Sequence, residues 1–134
     1  MRLELIPCLL RATHRVAVTL SGAREMPSQG EAHLLAHLLE SGPGTVGALH
    51  AALGHKRSTL TAILDRMEAA GWVERGVHAE DRRTFLITLT PAGRTAAERA
   101  TALLAGLEKR LKGRVTARDW KAALKVLKAM AEDA

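Results

Sequence analysis

Apolar residues return every three or four positions along most of the chain, which is the period of helices packed on one side. Cys8, Leu9, Ala12, Val16 and Leu20 share one face of a first helix. It is expected to begin at Pro7, where proline suits a first turn, and to stop at Ser21-Gly22. Residues 2–6 are either an extra turn before Pro7 or an extended arm. Ser28 followed by Glu31 is a capping box that opens a second helix through Leu34, Leu35, Leu38 and Leu39. Ser41-Gly42-Pro43-Gly44 ends it. Thr45 caps a short third helix, Val46 to Leu53, with Leu49 and Leu53 facing inward and Gly54 closing it. A fourth helix runs from about Lys56 to Ala70 on Leu60, Ile63, Leu64 and Met67, and Gly71 stops it.

The period then changes. Trp72-Val73-Glu74-Arg75 and Thr84-Phe85-Leu86-Ile87-Thr88-Leu89 read as two short strands. The polar stretch from Gly76 to Arg83 makes them a hairpin with a long exposed tip. Thr90-Pro91 caps and starts a fifth helix, whose expected packing face is Leu103, Leu104, Leu107 and Leu111 and which Gly113 interrupts. Thr116 and Asp119 cap a last helix striped by Trp120, Leu124, Leu127 and Met130. The expected fold is mainly α with a small β-hairpin wing.

Composition agrees with that pattern. The 134 residues are 47% hydrophobic and include one Phe, two Trp and no Tyr, which favours helices over a large sheet. One cysteine excludes an internal disulfide framework and suits a reducing compartment. No apolar run has the length of a membrane span, and Glu4 and Pro7 interrupt the short apolar start, so neither membrane span nor signal peptide is expected. A cytoplasmic protein follows.

The net charge of +6 points toward an acidic partner such as nucleic acid, but basic charge alone is weak evidence. Its distribution says more. Lys109 to Lys128 holds eight basic residues and one acid, Asp119, whereas Lys56 to Arg94 holds seven basic and five acidic residues. The basic stretch is expected to be the wet side of helices whose apolar stripe makes a dimer.

A short helix, a tight turn at Gly54-His55 and a longer helix form a helix-turn-helix. The longer helix starts Lys56-Arg57-Ser58-Thr59-Leu60-Thr61. With its apolar residues on the core, Arg57, Ser58 and Thr61, then Asp65 and Arg66, remain outside. Hydroxyls bond base edges or phosphates, and arginine grips guanine O6 and N7 with two hydrogen bonds. An ordinary amphipathic helix with a solvated polar face fits the same residues. The hairpin directly after it, with Asp81-Arg82-Arg83 near its tip, favours a winged helix. Arginine on such a tip suits a narrow minor groove, and Asp81 is placed to brace Arg83. The alternative is a hairpin whose charges serve solubility.

Pro27 to Arg94 resembles the MarR-type multiple-antibiotic-resistance regulators. RSTLTAILDRMEAAGWVER is similar to that family's recognition helix and first wing strand, EDRR to its wing signature, and LITLTPAGR to its second wing strand and following helix. The resemblance implies a single MarR-like domain over 1–134, with dimerisation helices at 7–21 and 91–132 and a winged helix-turn-helix lobe at 28–90. It implies a homodimer whose first and last helices interlock. It also implies a pseudo-palindromic double-stranded DNA operator, usually repressed, and release by a small ligand, metal or oxidant. Two recognition helices of such a dimer sit roughly 34 Å apart, one DNA turn. Carried over position by position, Lys56, Arg57, Ser58, Thr59 and Thr61 serve the major groove, Arg66 a phosphate, and Arg82 and Arg83 the wing, braced by Asp81.

The trigger is less defined. Cys8 is the redox candidate, since some relatives sense peroxide through one cysteine in the first helix. Those relatives support it with tyrosines, and Cys8 shares an apolar stripe, so a buried structural cysteine is expected. His33 and His37, one turn apart, are metal candidates, with Glu25 or Glu31 as further donors. The alternative is that these histidines cover the second helix or line a cleft. An organic effector between the lobe and the dimer helices is the third option, and its identity is open; no cofactor is assigned. No phosphate loop, nucleophile triad or paired carboxylates point to an enzyme. The competing class is a winged helix for protein–protein contact with a degenerate DNA face.

Overall fold

The structure, a computed structural model, describes residues 1–21, 26–77, 80 and 84–133. The order is α1 (Leu5–Ser21), α2 (Gln29–Ser41), β1 (Gly44–Thr45), α3 (Val46–Leu53), α4 (Arg57–Ala69), β2 (Val73–Val77), β3 (Phe85–Leu89), α5 (Pro91–Lys112) and α6 (Ala117–Glu132). Local capping sets most starts. Ser28 and Glu31 close the full reciprocal box on α2, Thr116 and Asp119 do so on α6, and Thr45 and Thr90 accept from Ala48 and Gly93. Each cap contributes about 1 kcal/mol by satisfying amides that the helix leaves unpaired.

α1 begins two residues before Pro7, resolving residues 5 and 6 as helix. Proline is tolerated there because no amide in the first turn has an intrahelical acceptor. The expected stop at Gly22 lies outside the described residues.

One core serves α2, α3, α4, the sheet and the start of α5. Leu34, Leu35 and Leu38 meet Leu49, then Leu60, Leu64 and Met67, closed by Val73, Ile87 and Ala97. Each fully buried leucine contributes about 2 kcal/mol against chain entropy. A second cluster of Leu20, Ala32 and Ala100, flanked by Val16, Met26 and Leu104, ties α1 and α5 to α2.

The hairpin is part of a three-stranded antiparallel sheet in the order β1-β3-β2. β1 was not expected: Gly44 pairs with Ile87 and Thr45 with Leu86, so the stop after α2 also anchors the hairpin's root. β2 runs two residues further than expected, pairing Val77 with Phe85.

One packing expectation holds in part and one is corrected. α5 packs within the chain mainly through Gly93, Ala96, Ala97 and Ala100, small residues that permit close approach; of the expected leucine face, Leu104 packs on the second cluster and Leu107 is half-buried, while Leu103 and Leu111 are exposed. Cys8 is exposed, not buried, because only the C-terminal end of α1 reaches a core, at Leu20. α6 buries no residue, and Leu124, Leu127 and Met130 stand in the open. No helix among the described residues is long and apolar enough to cross a membrane.

Candidate nucleic-acid interface

The helix-turn-helix is built from α3, the turn at Gly54 and α4. Gly54 sits in the left-handed region at φ +71°, where a side chain would be strained, and its amide donates to His50 O at 3.2 Å. This reversal delivers Lys56 as the N-cap of α4 in extended backbone. Lysine has no acceptor, and among the described residues no side chain caps α4. Its first amides, with the positive end of the helix dipole, are left for outside acceptors.

Leu60, Ile63, Leu64 and Met67 are buried and fix α4's rotation. Lys56, Arg57, Ser58, Thr59 and Thr61 are all exposed. At roughly 100° per residue, Arg57, Thr61, Asp65 and Glu68 descend one flank of the exposed arc with Ser58 beside them. Thr59 and Arg66 fall on the opposite flank. Arg57 and Thr61 edge a shallow notch whose other side is Val46, Gly47 and His50 of α3. Arg57 makes no ion pair among the described residues.

Arg66 is already engaged. Its Nε lies 3.1 Å from Glu31 Oε1, and the other oxygen of Glu31 accepts the Ser28 amide at 3.0 Å. One carboxylate thus joins α4 to the start of α2. Asp65 is engaged as well: Arg75 of β2 donates to Asp65 Oδ1 at 2.7 Å and to Glu68 Oε2 at 3.0 Å. Sequence reading treated Arg75 only as a strand residue. Its signal was the Asp65–Glu68 spacing on a helix joined to that strand by a Gly71 turn.

The wing root is locked by the segment that continues into α5. The α4 terminus closes with Trp72 N–H on Met67 O at 2.9 Å and Gly71 N–H on Glu68 O at 3.0 Å. Thr90 then donates its hydroxyl to Gly71 O at 2.6 Å and its amide to Trp72 O at 3.0 Å, while its Oγ1 accepts from Gly93 N at 2.9 Å. Asp81, Arg82 and Arg83 lie outside the described residues.

Behind the helix-turn-helix is a cleft of about 490 Å³ between Val16, Leu20, His33, His55 and Leu104. The His33 and His55 rings meet edge to face with centroids 6.2 Å apart. Desolvation, then neighbouring His55 and His37, hold the His33 pKa below its ordinary value. His55 Nε2 is buried, with no hydrogen-bond partner among the described residues. Among the described residues, no three His, Cys, Asp or Glu side chains are grouped to hold a metal. Glu25 lies outside the described residues, and Glu31 is committed to Ser28 and Arg66.

Residues 25–84 match the model of the MarR family. No curated protein matches the chain. Among solved structures, a mutant of E. coli MarR complexed with operator DNA is 27% identical, with a TM-score of 0.73 over 95% of this chain and 95% of that one. The S. aureus MepR–DNA complex is 19% identical, with a TM-score of 0.83 over 99% of this chain and 100% of that one. A probable transcriptional regulator from Pseudomonas aeruginosa is 22% identical, with a TM-score of 0.78 over 95% of this chain and 97% of that one.

Proposed function

We propose that this chain, which belongs to the MarR family, is a transcriptional regulator that binds double-stranded DNA in a sequence-specific manner. The observation that carries this reading is the start of α4, uncapped and exposing Arg57, Ser58 and Thr61 on a helix seated by four buried side chains. Arg57, Ser58 and Thr61 read base edges in the major groove. Lys56 and Thr59 meet the flanking phosphates. Arg66, on the α2 side, reaches phosphate only by leaving Glu31.

A homodimer supplies the second reading head for a pseudo-palindromic operator. The support is the surface left uncovered: Leu5, Leu10 and Val18 of α1, Leu103 and Leu111 of α5, and Leu124, Leu127 and Met130 of α6. A 16-residue helix with an apolar stripe and no buried residue gains little from its own chain. Covering that stripe with the same stripe of a second copy gives it a core. Leu127→Asp is therefore expected to leave a monomer in sedimentation analysis and to weaken operator binding at least tenfold, since a monomer grips one half-site. A dimer that persists with full affinity counts against this arrangement.

We place the release signal in the cleft behind the helix-turn-helix, as a small organic ligand that favours a conformation with the two α4 helices out of register. An apolar cleft with a buried histidine nitrogen that has no hydrogen-bond partner among the described residues supports this. Repression follows from an operator that overlaps a promoter.

The wing serves the minor groove through Arg82 and Arg83, with Asp81 bracing it. Arg83→Ala is expected to weaken binding about tenfold on all duplexes with an unchanged melting temperature. Equal affinity in a titration would show the wing to be idle.

The test of the whole reading is gel retardation of a duplex carrying the protein's own upstream region, across a salt series. Binding that falls steeply from low to moderate salt is expected, because neutralised phosphates release counterions. No salt-sensitive retardation leaves the winged helix as a protein-contact module.

A further inference from the structure

We propose that Arg75 is a positioning residue that holds the wing at a fixed angle to the recognition helix through Asp65 and Glu68, and that operator affinity depends on this hold. The inference rests on the DNA-binding reading above. Its basis is the one flank of α4 that runs Arg57, Thr61, Asp65, Glu68. The groove-reading residues occupy the first half of that flank, and two carboxylates occupy the second. Left free, those carboxylates would face the same polyanion as Arg57. Arg75 reaches them from β2 at 2.7 and 3.0 Å, spanning one helical turn with Nη2 on Asp65 and Nε on Glu68.

The strand register gives the hold its leverage. Arg75 pairs with Ile87, which is fully buried, so this strand position is anchored on the core. Two residues further on the same face, the Val77–Phe85 pair is 64% and 53% exposed, so the hairpin has left the core by then. Arg75 is thus the last side chain of β2 that ties the hairpin to the rest of the lobe among the described residues. A guanidinium with two acceptors on separate atoms fixes an angle, whereas a single contact is a pivot.

The exposure of Asp65 at 62% and of Glu68 at 48% makes this a weak stabiliser of the fold. Its effect is expected in the geometry of the DNA-bound lobe. The experiment compares wild type, Arg75→Ala, the double variant Asp65→Asn with Glu68→Gln, and all three changes together. The probes are one duplex selected by the wild-type protein from a random pool and one scrambled duplex of equal length. Amide hydrogen exchange at β2 and β3 is followed without DNA.

Arg75→Ala and the carboxylate double variant are each expected to lose about tenfold in affinity for the selected duplex, with no further loss when combined, as for partners in one interaction. Scrambled-duplex affinity and melting temperature should stay near wild type, and hairpin amides should exchange faster in all three variants. A merely structural role would lower the melting temperature and weaken both duplexes alike, which overturns the proposal. A carboxylate double variant that binds as well as or better than wild type, beside a weakened Arg75→Ala, makes Arg75 a phosphate contact and also overturns it. Unchanged affinity throughout overturns it too. If the wild type selects no duplex, the DNA-binding reading fails, a result separate from these.

Discussion

Gly93→Ala is expected to cost about 2–3 kcal/mol of stability, as overpacking of a rigid core contact does. For a chain of 134 residues that lowers the melting temperature by about 10 °C. Gly93 is buried in the first turn of α5, where an added Cβ overlaps the Trp72 carbonyl oxygen and comes within 2.7 Å of its carbon. Neither side can give. Trp72 O accepts the Thr90 amide at 3.0 Å, the Thr90 hydroxyl holds Gly71 O at 2.6 Å, and Pro91 stiffens the entry to the helix. The glycine therefore lets α5 approach the chain where α4 hands over to the wing. Gly106→Ala in the same helix is the control. Its Cβ meets only the Arg110 Nη1 end, at 3.6 Å, so alanine there should gain about 0.5–1 kcal/mol from helix propensity. Equal melting temperatures for the two variants would show that the approach at Trp72 is not tight in solution.

Arg57→Ala is expected to cost about 1–3 kcal/mol of operator discrimination per half-site, the worth of one two-pronged base contact. Affinity for random duplex should fall only by the loss of one cation. The fold should be untouched, because Arg57 is exposed at the first position of α4 and holds no ion pair among the described residues. A competition titration of selected against random duplex separates the two effects. Unchanged discrimination would remove Arg57 from base reading and leave it a phosphate contact.

What was legible in the sequence was chemistry that acts over a few residues. Ser28 with Glu31, Thr45, Thr90-Pro91 and Thr116 with Asp119 each satisfy helix amides three positions away, so the starts of α2, α3, α5 and α6 could be read directly. The buried face of α4 followed from its period. The rest depends on partners far along the chain. β1 exists only because Gly44 and Thr45 meet Ile87 and Leu86 in the sheet. Arg66 looked free until Glu31 was placed 3.1 Å from it, and Arg75 looked like a plain strand residue until Asp65 and Glu68 came within reach. The exposure of Cys8 and of the α6 stripe has another cause. A helical stripe says that a surface wants covering, but not whether the cover is its own chain. For α1 and α6 the intramolecular answer is mostly no.

The same lesson divides the charge. The eight cations between Lys109 and Lys128 carry the net positive balance, yet the ridge proposed to read DNA has a single arginine, Arg57, and two carboxylates shielded by Arg75. Specificity in this account lives in that ridge and in its symmetry mate one DNA turn away, not in bulk attraction. Selection of bound duplexes from a random pool tests that most directly. A palindromic consensus is expected, with half-sites centred about one DNA turn, 10–10.5 base pairs, apart. Recovery of unenriched sequences, bound equally well at every salt-matched round, would contradict it.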